Sequence, residues 1–205
     1  MGYYPIIVDL TDASCLIVGG GEVAFRKAVT LREAGAQVKV ITRDACARLE
    51  HMDGVTVECR DYAAGDVSGH ALVFAATDDR QVNSLVSREA EEHGIPVNVV
   101  DYPELCSFIV PSVMRLGDLL MAVCTSGKSP GLSKKIRCEL EEHYGPEYGE
   151  FVELMGEMRQ EVKARYSTQK EREAVFGKLI NSGILELLRQ GEKEEAGKKA
   201  RECIL

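Results

Sequence analysis

The chain has 205 residues, of which 45% are hydrophobic and 28% are charged, and its formal net charge is −8. This length suits one domain with an appended module, and the proportion of apolar residues excludes a wholly disordered chain. The acidic balance argues against a nucleic-acid-binding protein, because that affinity comes mainly from lysines and arginines that neutralise phosphates.

The sequence lacks the signals of a membrane or exported protein. No apolar run approaches the roughly 18 residues that a membrane-spanning helix needs. The opening residues have no basic segment before Asp9, and the seven cysteines include no Cys-x-x-Cys pair. Secretory signals begin with a basic stretch, and small secreted domains carry disulfide frameworks. We therefore expect a cytoplasmic protein that contacts neither membrane nor nucleic acid.

The first hundred residues alternate between short apolar runs and longer helical segments. The runs predicted as strands are residues 15–18, 38–41, 55–59, 71–76 and 97–100. One helix is predicted over residues 22–34 from its apolar spacing, and another from a cap at Asp78 or Asp79 to His93, before the stop at Gly94. Repeated strand–helix–strand units of these lengths form parallel sheets. The pattern predicts an α/β fold with a Rossmann-like, doubly wound parallel sheet.

The second half of the chain changes character. Two β-type runs, residues 107–114 and 119–125, are separated by only four residues, which predicts an antiparallel hairpin. Helices are predicted over residues 130–143, 147–166, 169–180 and 184–190, followed by a frayed, solvated tail of about a dozen residues. The chain is therefore divided into an NAD-binding domain (1–113), a small dimerisation segment (114–146) and a helical C-terminal module (147–205).

A glycine-rich turn stands where the first predicted strand meets the first helix. Gly19-Gly-Gly-Glu-Val-Ala24 fits the pattern G-x-G-x-x-A. In this pattern Gly19 permits a tight turn, Gly21 lets the backbone approach a pyrophosphate, and Ala24 allows close packing of helix on strand. The helix N-terminus offers N–H groups to the phosphates. The alternative is a glycine-rich turn with no ligand.

The end of the second predicted strand is where a cofactor ribose is usually held by an acidic residue. Here Arg43 and Asp44 follow the strand. Asp44 could bind the ribose hydroxyls of NAD, whereas Arg43 could accommodate the 2′-phosphate of NADP. Asp44 could instead cap the next helix, and the choice between the two cofactors stays open on these residues.

Asp101 follows the fifth predicted strand. Ligands of open α/β sheets bind beyond the carboxyl ends of the strands, so Asp101 is expected to face the cofactor crevice. A carboxylate there could take a proton from a substrate while a hydride passes to nicotinamide. The alternative is a turn or cap before Pro103.

The segment between the hairpin and the next helix is rich in small polar residues. Ser129 is the expected N-cap of that helix, with Pro130 in its first turn and Lys128 beside it. The functional interpretation is that Ser129 and Lys128 bind carboxylates of a substrate. The structural alternative is a capped helix with a solvated basic face.

These motifs together resemble a known family. The resemblance covers roughly residues 3–145 and, more loosely, the helical segments that follow. Its matched motifs are Tyr4-Pro-Ile-Ile-Val-Asp-Leu10, Cys15-Leu-Ile-Val-Gly-Gly-Gly-Glu-Val-Ala24, Arg26-Lys27, Ala75-Ala-Thr-Asp-Asp79, Val82-Asn83, Asn98-Val-Val-Asp101, Ser107-Phe-Ile-Val-Pro-Ser112 and Thr125-Ser-Gly-Lys-Ser-Pro-Gly-Leu132. In this combination the chain resembles precorrin-2 dehydrogenase, the module that also forms the N-terminal part of siroheme synthase.

The resemblance implies NAD-dependent oxidation of precorrin-2, a tetrapyrrole, to sirohydrochlorin by a homodimer. It implies catalysis by Asp101 and cofactor contacts from Glu22, Val23, Arg43 and Asp44. Thr77, within a matched motif, joins Gly19 and Gly21 as a further cofactor-binding candidate, and no structural metal is expected. Some relatives also insert ferrous iron into sirohydrochlorin, which leaves a bifunctional enzyme as one alternative. A non-catalytic NAD(H) sensor is the other.

Overall fold

The computed structural model describes residues 2–205 and divides the chain into two compact units. The first extends to Val110, and the second comprises Pro111–Leu205. The hairpin and the helix after it therefore group with the C-terminal helices. The separate dimerisation segment at 114–146 stays a prediction, because a single chain does not reveal which surface meets a second copy. No helix within residues 2–205 is both long and apolar enough to cross a membrane.

The first unit is a five-stranded parallel sheet with helical crossovers, as predicted. Its elements are β1 (Ser14–Val18), α1 (Glu22–Glu33), β2 (Gln37–Thr42), α2 (Ala47–Glu50), β3 (Val55–Cys59), β4 (Leu72–Ala75), α3 (Arg80–Glu92), β5 (Val97–Val99) and a 3₁₀ turn (Pro103–Leu105). The strand order is β3-β2-β1-β4-β5. Strands β2 and β3 extend the sheet on one side of β1, and β4 and β5 extend it on the other side. This order defines a doubly wound sheet with a switch point between β1 and β4.

Both faces of the sheet are buried, which explains the continuous apolar runs of its strands. In β1, Cys15 and Ile17 pack into one hydrophobic cluster, with α1 residues such as Ala28, whereas Leu16 and Val18 pack into the other. Successive side chains of a strand point to opposite faces, so a strand covered on both sides needs apolar residues at every position. Helix α3 covers the second face, and Asp79 caps it by accepting hydrogen bonds from the N–H groups of Gln81 and Val82.

The second unit opens with a hairpin shorter than the one predicted. Strands β6 (Ser112–Leu116) and β7 (Leu119–Val123) are antiparallel. The prediction of a strand beginning at residue 107 was wrong. Residues 107 and 108 are instead held against β5 by the hydroxyl of Ser107, which accepts from Val97 N–H, and by the side chain of Asn98, which donates to the Phe108 carbonyl. Pro111 then follows, and its lack of an N–H group prevents a continuous ladder.

The rest of the second unit is helical, with α4 (Pro130–His143), α5 (Pro146–Arg165), α6 (Gln169–Asn181), α7 (Ile184–Arg189) and α8 (Lys193–Ile204). The prediction of a frayed tail was wrong, because these last residues form helix α8. Ala196, Ala200 and Ile204 are buried at intervals of four residues and join a cluster with Leu179 of α6. Two alanines among many Glu and Lys residues form only a narrow apolar stripe, so the sequence pattern for a buried helix face is weak. The stripe is nevertheless wide enough for α8 to pack closely against its neighbours.

This helical core leads to a stability prediction. Leu179 is fully buried, whereas its neighbour Ile180 on the same helix is 59% exposed. We expect Leu179→Ala to lower the free energy of unfolding by about 2–5 kcal/mol, because it leaves a cavity. Ile180→Ala is the matched control and should change it by no more than about 0.5 kcal/mol. Urea unfolding followed by circular dichroism checks both, and equal effects would contradict a core shared by these helices.

Candidate active site

An open cleft of about 1170 Å³ lies at the carboxyl edge of the parallel sheet. It is lined by residues 18–23, 41–46, 60–62 and 76–82, which come from the ends of β1, β2, β3 and β4 and from the segments that follow them. The cleft therefore spans the switch point between β1 and β4, where open α/β sheets bind their ligands.

The glycine-rich turn forms the floor of this cleft, and its three glycines are required for different reasons. Gly19 has a φ of +121°, and a Cβ there would overlap the carbonyl of Ala76. A Cβ on Gly20 would overlap the carbonyl of Asp44. At Gly21, in contrast, a Cβ would have no protein atom within 4 Å. Gly19 and Gly20 thus let segments of the protein pack closely, whereas Gly21 keeps space open for a ligand.

The N-terminus of α1 points its unpaired N–H groups to the same place. Gly21 is the N-cap residue and, having no side chain, makes no capping hydrogen bond. The first-turn N–H groups have no carbonyl partner within the helix, and with the helix dipole they favour an anion. Glu22 and Val23, which begin α1, line the cleft. The Glu22 carboxylate is paired with Arg48, whose hydrogen bond lowers the pKa of Glu22.

Arg43 and Asp44 line the cleft at the end of β2, and both are exposed. The guanidinium of Arg43 lies 3.3 Å from Asp61 and 3.9 Å from Asp79. The alternative role of Asp44 as a helix cap was wrong, because α2 begins after Cys46 and has no side-chain cap. The Asp44 carboxylate therefore remains available to a ligand in the cleft.

Thr77 is held in the cleft wall by an internal hydrogen-bond network. Its hydroxyl lies 2.8 Å from the side-chain oxygen of Asn83, and the Asn83 amide donates to the Thr77 carbonyl at 2.9 Å. Asn83 is fully buried. The same threonine hydroxyl accepts from the Asp79 N–H. This network positions the β4–α3 turn, so Thr77 can shape the cleft through its backbone while its hydroxyl stays engaged within the protein.

The segment after β3 forms a wall of the cleft that no sequence motif predicted. Arg60 makes two hydrogen bonds of 2.7 Å to the Asp66 carboxylate, and this contact lowers the pKa of Asp66. The Tyr62 hydroxyl donates to Glu89 of α3, and burial is the main reason that the pKa of Tyr62 is raised. These contacts position Asp61 between them. The rule that singled out Asp101, residues beyond a parallel strand's carboxyl end, would also have found Asp61.

Asp101 lies at the same edge of the sheet as the cleft but is not one of the residues that line it. β5 ends at Val99, and Asp101 follows in an exposed turn with a φ of +66°. Of the two alternative roles, the turn is present, but the cap before Pro103 was wrong, because the 3₁₀ turn is preceded by Tyr102 and has no side-chain cap. A positive φ is uncommon outside glycine, and such backbones are concentrated at functional sites. The catalytic role of Asp101 stays a prediction.

Ser129 and Lys128 lie in the second unit, in the turn between β7 and α4. The Ser129 hydroxyl accepts a hydrogen bond from the Leu132 N–H, so the predicted helix cap is present. The Thr125 hydroxyl accepts from the Ser129 N–H and fixes the turn. Lys128 is exposed. The structure thus gathers the seven predicted cofactor residues into one cleft, whereas the substrate-binding roles of Ser129 and Lys128 stay predictions.

The cleft satisfies the requirements of a nucleotide cofactor. Gly21 leaves a backbone that a pyrophosphate can approach, the uncapped helix α1 supplies N–H donors, and Asp44 lies two residues beyond the end of β2, near where folds of this type hold the cofactor ribose. The cleft volume of about 1170 Å³ is large enough to hold an extended dinucleotide. These features define a dinucleotide-binding protein of the Rossmann type.

Comparison with known families agrees with this class. A family model of NAD(P)-binding domains matches residues 6–112, just over half of the chain. The chain therefore belongs to this NAD(P)-binding family, and the predicted nicotinamide dinucleotide cofactor is confirmed at that level. A second model, the sirohaem synthase dimerisation region, matches residues 147–204. It covers the C-terminal helices, whereas the segment predicted for dimerisation comprises residues 114–146.

Individual relatives support the resemblance inferred from the motifs. Siroheme synthase of Vesicomyosocius okutanii is 36% identical over 96% of this chain and 43% of its own length. That of Methylobacillus flagellatus is 39% identical over 98% of this chain and 44% of its own length. The chain thus spans less than half the length of these relatives. A solved structure of SirC, a precorrin-2 dehydrogenase, matches the fold with a TM-score of 0.77 at 22% identity, covering 98% of this chain and 100% of that one.

Proposed function

We propose that this protein catalyses the NAD-dependent oxidation of precorrin-2 to sirohydrochlorin in siroheme biosynthesis. The observation that carries the proposal is the cleft where Gly19, Gly21 and the uncapped N-terminus of α1 meet, in a chain that aligns over almost its whole length with siroheme synthases. The cofactor supplies a hydride acceptor when it is bound.

The residues of the cleft divide the binding task by chemistry. The N–H groups at the start of α1 bind the pyrophosphate, and Gly21 leaves room for it. Asp44 accepts hydrogen bonds from the ribose hydroxyls, and the buried Asn83 keeps the Thr77 turn in place. This arrangement holds the cofactor along the carboxyl edge of the sheet, with α1 and α3 on either side.

Asp101 is the proposed base. Oxidation of precorrin-2 removes a hydride, which the cofactor accepts, and a proton, which a carboxylate such as Asp101 can take. Its exposure leaves the carboxylate accessible to a substrate, and its positive φ sets it at a defined position beyond β5.

Ser129 and Lys128 are the proposed contacts of the substrate's carboxylates. We also propose that the protein acts as a homodimer in the cytoplasm.

The decisive test mixes purified protein with precorrin-2 and NAD and follows both NADH absorbance and the spectrum of sirohydrochlorin. The proposal expects the two signals to rise together. A flat trace from folded protein that binds NAD would contradict it and favour the sensor alternative. A separate reaction of sirohydrochlorin with ferrous iron, without NAD, tests the iron-inserting alternative, which predicts siroheme above the non-enzymatic background.

A further inference from the structure

The arginines of the cofactor cleft are all engaged by carboxylates of the protein itself. Three arginines, Arg43, Arg60 and Arg80, line the cleft. Arg60 is bound by Asp66 and Glu58, with closest distances of 2.7 Å to each. The guanidinium of Arg80 lies 4.0 Å from Glu104 and stacks over the ring of Tyr102 at 5.3 Å.

Arg43 is the arginine whose position in the chain suits recognition of a 2′-phosphate, because it directly follows β2. Asp61, after β3, and Asp79, at the start of α3, approach it at 3.3 and 3.9 Å. These pairs are exposed, with 66% of the Arg43 side chain accessible, so they add little to stability. These pairs matter because they change the charge that a ligand encounters in the cleft.

The unpaired charge in the cleft is negative. Asp44 and Asp78 also line it, and within residues 2–205 neither carboxylate has an ion-pair or side-chain hydrogen-bond partner. A carboxylate accepts hydrogen bonds from a 2′-hydroxyl group, which favours NAD. A 2′-phosphate would bring negative charge to Asp44 and would have to compete with two carboxylates for Arg43.

We infer that Asp61 and Asp79 are specificity-determining residues, which occupy Arg43 and so make the cleft select NAD over NADP. Arg43 alone is typical of an NADP site, and the two aspartates from neighbouring segments cancel that preference. The inference rests on the proposed cofactor site, but it does not depend on which substrate is oxidised.

The test measures the Kd of NAD and NADP for the full chain by titration calorimetry, without substrate. The wild type should bind NAD at least about tenfold more tightly than NADP, the scale of one charge-assisted contact. In Asp61→Asn/Asp79→Asn, the affinity for NADP should rise by about tenfold or more, while NAD affinity changes by less than about threefold. Asparagine at position 79 preserves the helix cap. Adding Arg43→Ala to this double variant should remove the gain.

Asp78→Asn is the matched control. It removes one negative charge from the cleft, where the double variant removes two, and it leaves both partners of Arg43 in place, so its NADP affinity should rise by much less than that of the double variant. Higher salt should shrink the gain of the double variant, because screening weakens exposed charges.

Several results would overturn the inference. They include equal affinity of the wild type for both cofactors, an unchanged NADP affinity in the double variant, and a gain that survives Arg43→Ala or appears equally in Asp78→Asn. Absence of binding of either dinucleotide to folded protein would also overturn it. A protein that discriminates through Arg43 but does not oxidise precorrin-2 would contradict the proposed function and leave this inference standing.

Discussion

Gly21→Asp is expected to abolish dinucleotide binding while the protein remains folded. A side chain at Gly21 meets no protein atom within 4 Å, and the residue has a φ of −83°, which any amino acid adopts. The added carboxylate would therefore fit the structure but would occupy the pyrophosphate position and repel its charge. We expect a loss of at least about a hundredfold in NAD affinity, equivalent to about 2.7 kcal/mol. Calorimetric titration with NAD measures it.

Two comparisons make this result specific. Gly156→Asp adds the same carboxylate to an open, exposed position of α5 and should leave NAD affinity unchanged within about twofold. Gly19→Ala should instead impair folding, because its Cβ would overlap the backbone of Ala76 at a positive φ. If folded Gly21→Asp binds NAD normally, the phosphates do not lie at the start of α1.

Asp101→Asn is expected to lower turnover of precorrin-2 strongly while sparing the affinity for NAD. Asparagine has the shape of aspartate and tolerates the left-handed backbone that Asp101 adopts, with a φ of +66°. The substitution removes the negative charge of the carboxylate and with it the capacity to accept a proton. General base catalysis contributes about 10²–10⁴-fold, so the turnover rate should fall by about that factor. Rates from NADH absorbance and a separate NAD titration distinguish catalysis from binding.

Asp12→Asn is the matched control for this variant. Asp12 also has a positive φ, of 57°, and is exposed, but it precedes β1 at the opposite end of that strand from the cleft. Its turnover should stay within about twofold of the wild type, since a surface change away from the site has little effect. Near-normal turnover in Asp101→Asn would reduce Asp101 to a turn residue.

Local patterns predicted much of the fold. The five strands of the sheet and the helices α1 and α3 follow from apolar runs, glycine stops and the Asp79 cap, because each depends on residues close in the chain. The cap of α4 at Ser129 was predicted for the same reason. Helix α8 was missed because its buried stripe consists largely of alanines, whose burial depends on close packing against other helices.

The candidate site divides in the same way. The residues of the glycine-rich turn after β1 could be assigned to the cofactor site because the spacing of the glycines itself indicates a tight turn that opens a helix. The network that joins Thr77 to Asn83, six positions later, links two of the matched motifs, and neither motif by itself shows that contact. No motif marked Asp61, because its role depends on Arg43, which is eighteen positions earlier in the chain and follows the neighbouring strand β2.

By itself, the sequence determined the parallel sheet, the position of the glycine-rich turn and the candidates for the cofactor site, because hydrophobic period and backbone freedom are local properties. Only the tertiary structure decided which charges meet. It brought Asp61 and Asp79 to Arg43, freed Asp44 from a capping role and placed Asp101 beside the cleft instead of in its lining. Coulomb interactions act between residues that are close in space, and the order of strands in a sheet, not the order of residues in the chain, sets that closeness.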